Sequence, residues 1–195
     1  MPGILNTTSK FDSFEDFLGK VSKQALVGVD VGCGNSEFAE NLITVYPKTF
    51  DTMIAFDPCI DEPLRELSSN GGPVTTVTNT TYQQFVRDGK NKNRFDIVFF
   101  NCPSQYVWPK CLRTCRKLLK FSGWVVCTFY WEQFLTPEFN AFFSKEDVDK
   151  FFSLIAKERA RASYRVEWLS SDVGYPKSGY KRVPGILLLQ PIPTR

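Results

Sequence analysis

The chain has 195 residues, with 24 Lys or Arg against 21 Asp or Glu and a formal net charge of +3. That length suits one well-buried domain and is short for two, and the mild charge permits an anionic partner without demanding one. There is no histidine, which removes the commonest general base and every Ser-His or Cys-His nucleophile pair, so hydrolase chemistry is disfavoured.

Residues 1–24 read as a lead-in with one short helix, from Ser13 to Gly19, capped by Ser13 and apolar along Phe14, Phe17 and Leu18. Lys20 and Lys23 follow on a solvated turn. Residues 25–195 read as a single domain. It opens on L-V-G-V-D-V-G-C-G-N, Leu26 to Asn35, an apolar strand carrying one acid, Asp30, and running into a glycine turn. Six mainly apolar residues suit a strand buried on both faces. Gly32 and Gly34 allow a tight turn and leave no side chain between backbone and ligand. Ser36 to Tyr46 then has Phe38, Leu42, Val45 and Tyr46 at helical spacing. A carboxylate inside an apolar strand is costly unless something pairs with it.

This strand, acid and G-x-G resemble the first motif of class I S-adenosylmethionine-dependent methyltransferases. The resemblance implies an α/β, three-layer Rossmann-like fold. Its seven-stranded, mostly parallel sheet has order 3-2-1-4-5-7-6 and an antiparallel last strand. It further implies S-adenosyl-L-methionine as cofactor, held at Asp30, Gly32, Cys33, Gly34 and Asn35. The dinucleotide fingerprint needs a third glycine three residues after Gly34, where this chain has Glu37, followed by Phe38 and Ala39.

Thr52 to Phe56 reads as the second strand, ending at Asp57-Pro58. An acid at that point is placed to accept from both ribose hydroxyls, the role the resemblance also implies; the same dipeptide equally starts a turn. Pro63 to Ser69 reads as a short helix closed by Asn70, Gly71 and Gly72. Val74 to Thr78 is a β-branched strand, after which the resemblance places Asn79 against the adenine amino group. Tyr82 to Arg87 reads as a short helix and Asp88 to Arg94 as a polar, basic loop.

Phe95 to Phe100 is the fourth strand, followed by Asn101-Cys102-Pro103-Ser104. That tetrapeptide partly resembles the N-P-P-aromatic motif of amino-group methyltransferases, in Asn101 and Pro103 only. It implies that Asn101 orients the acceptor and that Asn101 and Cys102 lie beside the cofactor. Pro109 to Leu119 reads as an amphipathic helix, and Gly123 opens a fifth strand, Trp124 to Phe129. A further helix is expected over Lys145 to Ala162. Tyr164 to Leu169 and Gly185 to Gln190 are strands with no helix between them, so they should pair antiparallel. The dehydrogenase plan lacks that reversed strand.

The Lys-Asp-Lys-Glu set of RNA ribose methyltransferases is broken, with Asn101 at the aspartate and Thr128 at the second lysine. A nitrogen acceptor is therefore preferred: a cap guanine or other nucleic acid, or a protein or small-molecule amine. The loop from Tyr175 to Pro184 interleaves Tyr175 and Tyr180 with Lys177, Lys181 and Arg182; such a pattern can stack a base and hold phosphate, and it also reads as a solvated hairpin loop. The altered tetrapeptide and missing glycine leave a catalytically inactive cofactor-binding or partner-binding module as the alternative.

Six cysteines, at positions 33, 59, 102, 111, 115 and 127, fall at strand ends or in apolar surroundings and read as free thiols. No C-x-x-C exists, so no metal site is expected. No run of about 18 apolar residues occurs and residues 1–10 lack the regions of a signal peptide. A cytoplasmic location without membrane attachment is expected.

Overall fold

The computed structural model describes residues 9–34, 37–60, 64–68, 74–101, 108–129, 153, 157, 164–170 and 185–192. The elements are α1 (Phe14–Val21), β1 (Leu26–Val31), α2 (Glu37–Val45), β2 (Phe50–Phe56), β3 (Leu64–Ser68), β4 (Val74–Thr78), α3 (Tyr82–Arg87), β5 (Phe95–Asn101), α4 (Trp108–Cys115), β6 (Leu119–Phe129), β7 (Tyr164–Ser170) and β8 (Gly185–Pro191), with a 3₁₀ turn at Gly89–Asn91.

They form one sheet of order β3-β4-β2-β1-β5-β6-β8-β7. β4, β2, β1, β5 and β6 are mutually parallel, and β8 runs antiparallel to both β6 and β7. Without β3, this is the expected seven-stranded order. The addition corrects one expectation: residues 64–68 form a strand and not a helix, paired antiparallel with β4 from Leu64↔Thr78 to Ser68↔Val74. A five-residue segment gains little from helix propensity alone, whereas an unpaired β4 edge offers a full ladder of backbone partners. The last strand is thus not the sole antiparallel one. Of the helix expected over Lys145 to Ala162, residues 153 and 157 are described, and both are helical.

Both faces of the sheet are covered, which is why its central strands are almost continuously apolar. On one face Phe14, Phe17 and Leu18 of α1 and Leu42 of α2 lie with Met53, Ile97, Phe99 and Trp124. On the other, Phe85 and Leu112 lie with Phe56, Val98 and Phe100. Alternation along β5 sends Ile97 and Phe99 one way and Val98 and Phe100 the other. Phe95 breaks that alternation because the β5–β6 register shifts between Phe95 and Ile97. Each fully buried Phe contributes ~1.5–3 kcal/mol. Ser13 caps α1 as expected, accepting at 2.9 Å from the Asp16 N–H. Within α2 the inward positions are Phe38, Ala39, Leu42 and Ile43, while Val45 is 51% exposed, against the expectation that it faced the core.

Among the described residues five cysteines are free thiols, four of them buried. Cys111 and Cys115 face inward from α4, and burial pushes both thiols up to about 12. They are packing groups. No described helix is long and apolar enough to cross a membrane.

Candidate functional site

Three parallel strands end side by side at the carboxyl edge of the sheet, and their ends are laced together. After β1, Gly32 at φ 70° and Gly34 at φ 55° take the left-handed conformation that side chains disfavour. The N–H groups of Gly32 and Cys33 both donate to the Phe56 carbonyl, at 2.9 and 3.1 Å, fixing the turn to the end of β2. Asp57, the next residue, reaches back. Its Oδ2 accepts from the Gly34 N–H at 3.2 Å, and its Oδ1 accepts from the Cys59 N–H at 2.8 Å. The Asp57 N–H donates to the Thr78 carbonyl of β4 at 3.3 Å. Beyond β4, the Asn79 side-chain amide donates to the Ile60 carbonyl.

Asp57 thus joins two turns. It makes the Asx turn expected of Asp before Pro and stands beside the glycine turn. A carboxylate has about four lone-pair sites, so two backbone contacts leave acceptor capacity on this half-buried group. Asn79 is exposed, and with its amide committed to Ile60 its Oδ1 remains an acceptor. Cys33 packs its side chain against the core, and its Sγ donates to the Gly34 carbonyl within the turn at 3.8 Å. Pro58 is exposed beside Asp57.

Asp30 is the anomaly of the site. It is fully buried, and neither carboxyl oxygen has a hydrogen-bond partner. Its register neighbours are Ala55 on β2 and Phe99 on β5, both fully buried. Desolvation in these apolar surroundings, followed by the negative charge of Asp57, pushes the Asp30 carboxyl up to about 8. A buried carboxyl without donors is unfavourable by a few kcal/mol at least. Nothing in the packing of β1 requires an acid there.

Asn101 closes β5, opposite Thr128 of β6 and two residues beyond the partner of Asp30. Its backbone thus ends on the carboxyl edge next to β1; its side chain lies outside the described residues. So do Asn35, Cys102, Tyr175, Lys177, Tyr180, Lys181 and Arg182. The link from Asn79 to Ile60 was not foreseen, because nothing in a sequence pairs a side chain with a carbonyl 19 residues away. The Asx turn at Cys59 was legible from Asp-Pro.

Neither a protein family model nor a curated protein matches this sequence. Solved structures do match. A 16S rRNA (adenine(1408)-N(1))-methyltransferase from Catenulisporales acidiphilia is similar over 92% of both chains, at 14% identity and TM-score 0.54. The plantazolicin methyltransferase BpumL matches over 90% of this chain and 82% of its own, at 12% identity and TM-score 0.58. An rRNA methylase from Streptococcus thermophilus matches over 91% and 93%, at 14% identity and TM-score 0.57. The chain has the class I methyltransferase fold.

In the methyltransferase fold the carboxyl edge, where the strand order reverses, is where a ligand crevice opens. The glycine turn, Asp57 and the backbone of Asn101 all lie on that edge. At identities this low the likeness speaks for the fold alone, so what the site binds has to be argued from its own geometry.

Proposed function

We propose that the chain is an S-adenosylmethionine-dependent methyltransferase acting on a nitrogen acceptor, with the cofactor held at the carboxyl edge by Asp30, Gly32, Cys33, Gly34, Asn35, Asp57, Pro58, Asn79, Asn101 and Cys102. The observation that carries the reading is Asp30. A carboxyl buried without a partner, next to two left-handed glycines, calls for a cation to complete it, and the methionine ammonium of the cofactor is such a cation. The free acceptor sites of Asp57 suit two vicinal hydroxyls, and Oδ1 of Asn79 suits an amino group. The donor set thus fits an amino acid joined to a nucleoside.

When bound, the cofactor supplies a methyl group already activated on a sulfonium. The chain's own task is then to align and desolvate the acceptor, for which no histidine is needed. Asn101 is proposed to orient the acceptor amine, and Tyr175, Lys177, Tyr180, Lys181 and Arg182 to hold a substrate bearing bases or phosphates. RNA is favoured as the substrate because two of the similar structures are rRNA methyltransferases, while a third acts on plantazolicin.

Calorimetry with S-adenosylmethionine and its homocysteine product, followed by a radiolabelled methyl assay over capped RNA, uncapped RNA, protein and small amines, tests the reading. Binding with transfer to one acceptor class supports it. Binding without transfer to any acceptor identifies an inactive cofactor-binding module, and no binding at all refutes the site.

A further inference from the structure

At the sheet edge opposite the glycine turn two open cavities adjoin. The first, about 570 Å³, lies at the start of β1 and against β6, and is lined by Lys10, Lys20, Lys23 and Lys120 with a single carboxylate, Asp96. The second, about 600 Å³, shares Lys120 with it and adds Arg116, Asn93 and Phe121. Neither touches the Asp30–Asp57 turn.

Phe121 is 84% exposed, in contrast to Phe11, Phe14, Phe17, Phe38, Phe50, Phe56, Phe85, Phe95, Phe99 and Phe100, which are buried. Leaving such a ring in water forgoes ~1.5–3 kcal/mol of burial. Its strand neighbours Lys120 and Ser122 are exposed too. The Asn93 N–H donates to the Lys117 carbonyl at 2.9 Å, which sets the backbone of exposed Lys117 against Asn93 in the lining of the second cavity.

Three of these lysines have carboxylate partners: Lys10 with Glu167 at 3.4 Å, Lys20 with Asp16 at 2.7 Å and Lys120 with Asp96 at 2.8 Å. All three lysine side chains are about half exposed, while their carboxylate partners are only 9%, 28% and 21% exposed. An ammonium carries three donors, so a half-exposed lysine with one carboxylate partner keeps donors for a phosphate. Lys23 is exposed in the same cavity.

We infer that this edge is a binding surface for single-stranded nucleic acid, with the lysines of the first cavity following the phosphate backbone and Phe121 stacking on a base. Cations in one cavity and a protruding ring in the adjoining one, joined at Lys120, are the combination that sequence-tolerant strand binding uses. A duplex hides its base faces from such a ring, so the surface selects the single strand. An acidic peptide satisfies the lysines but leaves the ring unused. The inference is independent of the reaction at the other edge, since no residue is shared.

Fluorescence anisotropy of the full chain without cofactor, using labelled oligoadenylate RNA of about 12 nucleotides, within the usual span of such sites, tests it. Binding should weaken as salt rises from about 50 to 200 mM. The log–log slope should be near −3, at ~0.7 per phosphate for the four lysines. Phe121→Ala and Phe121→Leu should each weaken binding roughly tenfold, as losing one stacked base does, and Phe121→Trp should restore it. Lys20→Ala with Lys23→Ala should flatten the slope by about 1.4. Parent-like affinity in Phe121→Leu would overturn the stacking assignment. Equal affinity for a duplex of the same length, preference for anionic lipid vesicles, or a slope unchanged by the double lysine variant would overturn the surface altogether. Because Phe121 is exposed, none of its variants should unfold the chain.

Discussion

Replacing Asp30 with Asn keeps the shape of the side chain and removes its titration from the middle of the sheet. In the folded chain the carboxyl titrates at about 8, against an ordinary 3.8. Between those values the native state keeps a proton that the unfolded chain releases, so stability falls as pH rises from about 4 to about 8 and is level beyond. Each pH unit is ~1.4 kcal/mol, and four units give a loss on the order of 5 kcal/mol. That is a large share of a typical domain's total stability of ~5–15 kcal/mol. Asp30→Asn has no charge to desolvate. Near pH 3, below both values, the variant and parent should be about equally stable, since each buries a neutral polar group without partners, and near pH 9 the variant should be more stable by several kcal/mol. Urea unfolding at both pH values, with unchanged m, measures the difference directly. A gap between variant and parent that stays constant with pH would refute the reasoning, because it would mean that Asp30 is paired or solvated in the native state. Saturating S-adenosylmethionine should reverse the order at high pH by pairing the carboxylate of the parent alone.

Asp57→Ala should weaken S-adenosylmethionine binding by ~1.5–3 kcal/mol in calorimetry, the range for hydrogen bonds to a charged group; unchanged affinity would remove Asp57 from the ribose site. Asn101→Ala should slow methyl transfer while leaving cofactor affinity nearly intact, since an acceptor contact matters mainly in the transition state. A normal turnover number would exclude Asn101 from the chemistry. Gly123→Ala should destabilise the chain by ~1–3 kcal/mol in urea unfolding. Its Cβ would come within 3.0 Å of the Phe95 carbonyl oxygen and 2.9 Å of Leu119 Cδ2, and a variant as stable as the parent would show that β5 and β6 can part there.

Most of the framework was legible because it is written in local patterns. The apolar runs gave the strands their places, and Ser13 marked the first turn of α1. The pair Tyr164–Leu169 and Gly185–Gln190, lacking a helix between them, announced the reversed strand found as β8. β3 departs from the helical expectation because Pro63 and the R-E-L stretch favour a helix locally, while Asn70-Gly71 is in sequence both a helix stop and the strongest short hairpin signal. Pairing with β4 decided between them. Gly123 reads in the sequence as the turn before a strand starting at Trp124, yet β6 already begins at Leu119 and Gly123 lies inside it, where the carbonyl of a residue on another strand excludes a side chain. The acid in β1 could be seen in the sequence, but not that both its oxygens lack partners. That depends on which residues lie in register on β2 and β5, and register is a tertiary property. Val45 shows the limit of periodicity: at the last position of α2 it falls beside the face that Phe38, Ala39, Leu42 and Ile43 bury, so an apolar residue at helical spacing stays in water.

The segment from Asp57 to Ile60 is tied at one end by its own carboxylate and at the other by Asn79. A stretch held this way has already lost its conformational freedom in the free chain. Fixing a backbone residue costs ~1–2 kcal/mol of entropy, so a ligand arriving on a preorganised ledge of four residues is spared most of a cost that a floppy loop would charge against its affinity. Asn79→Ala should therefore show itself as a more unfavourable binding entropy, even for a cofactor fragment that never reaches residue 79.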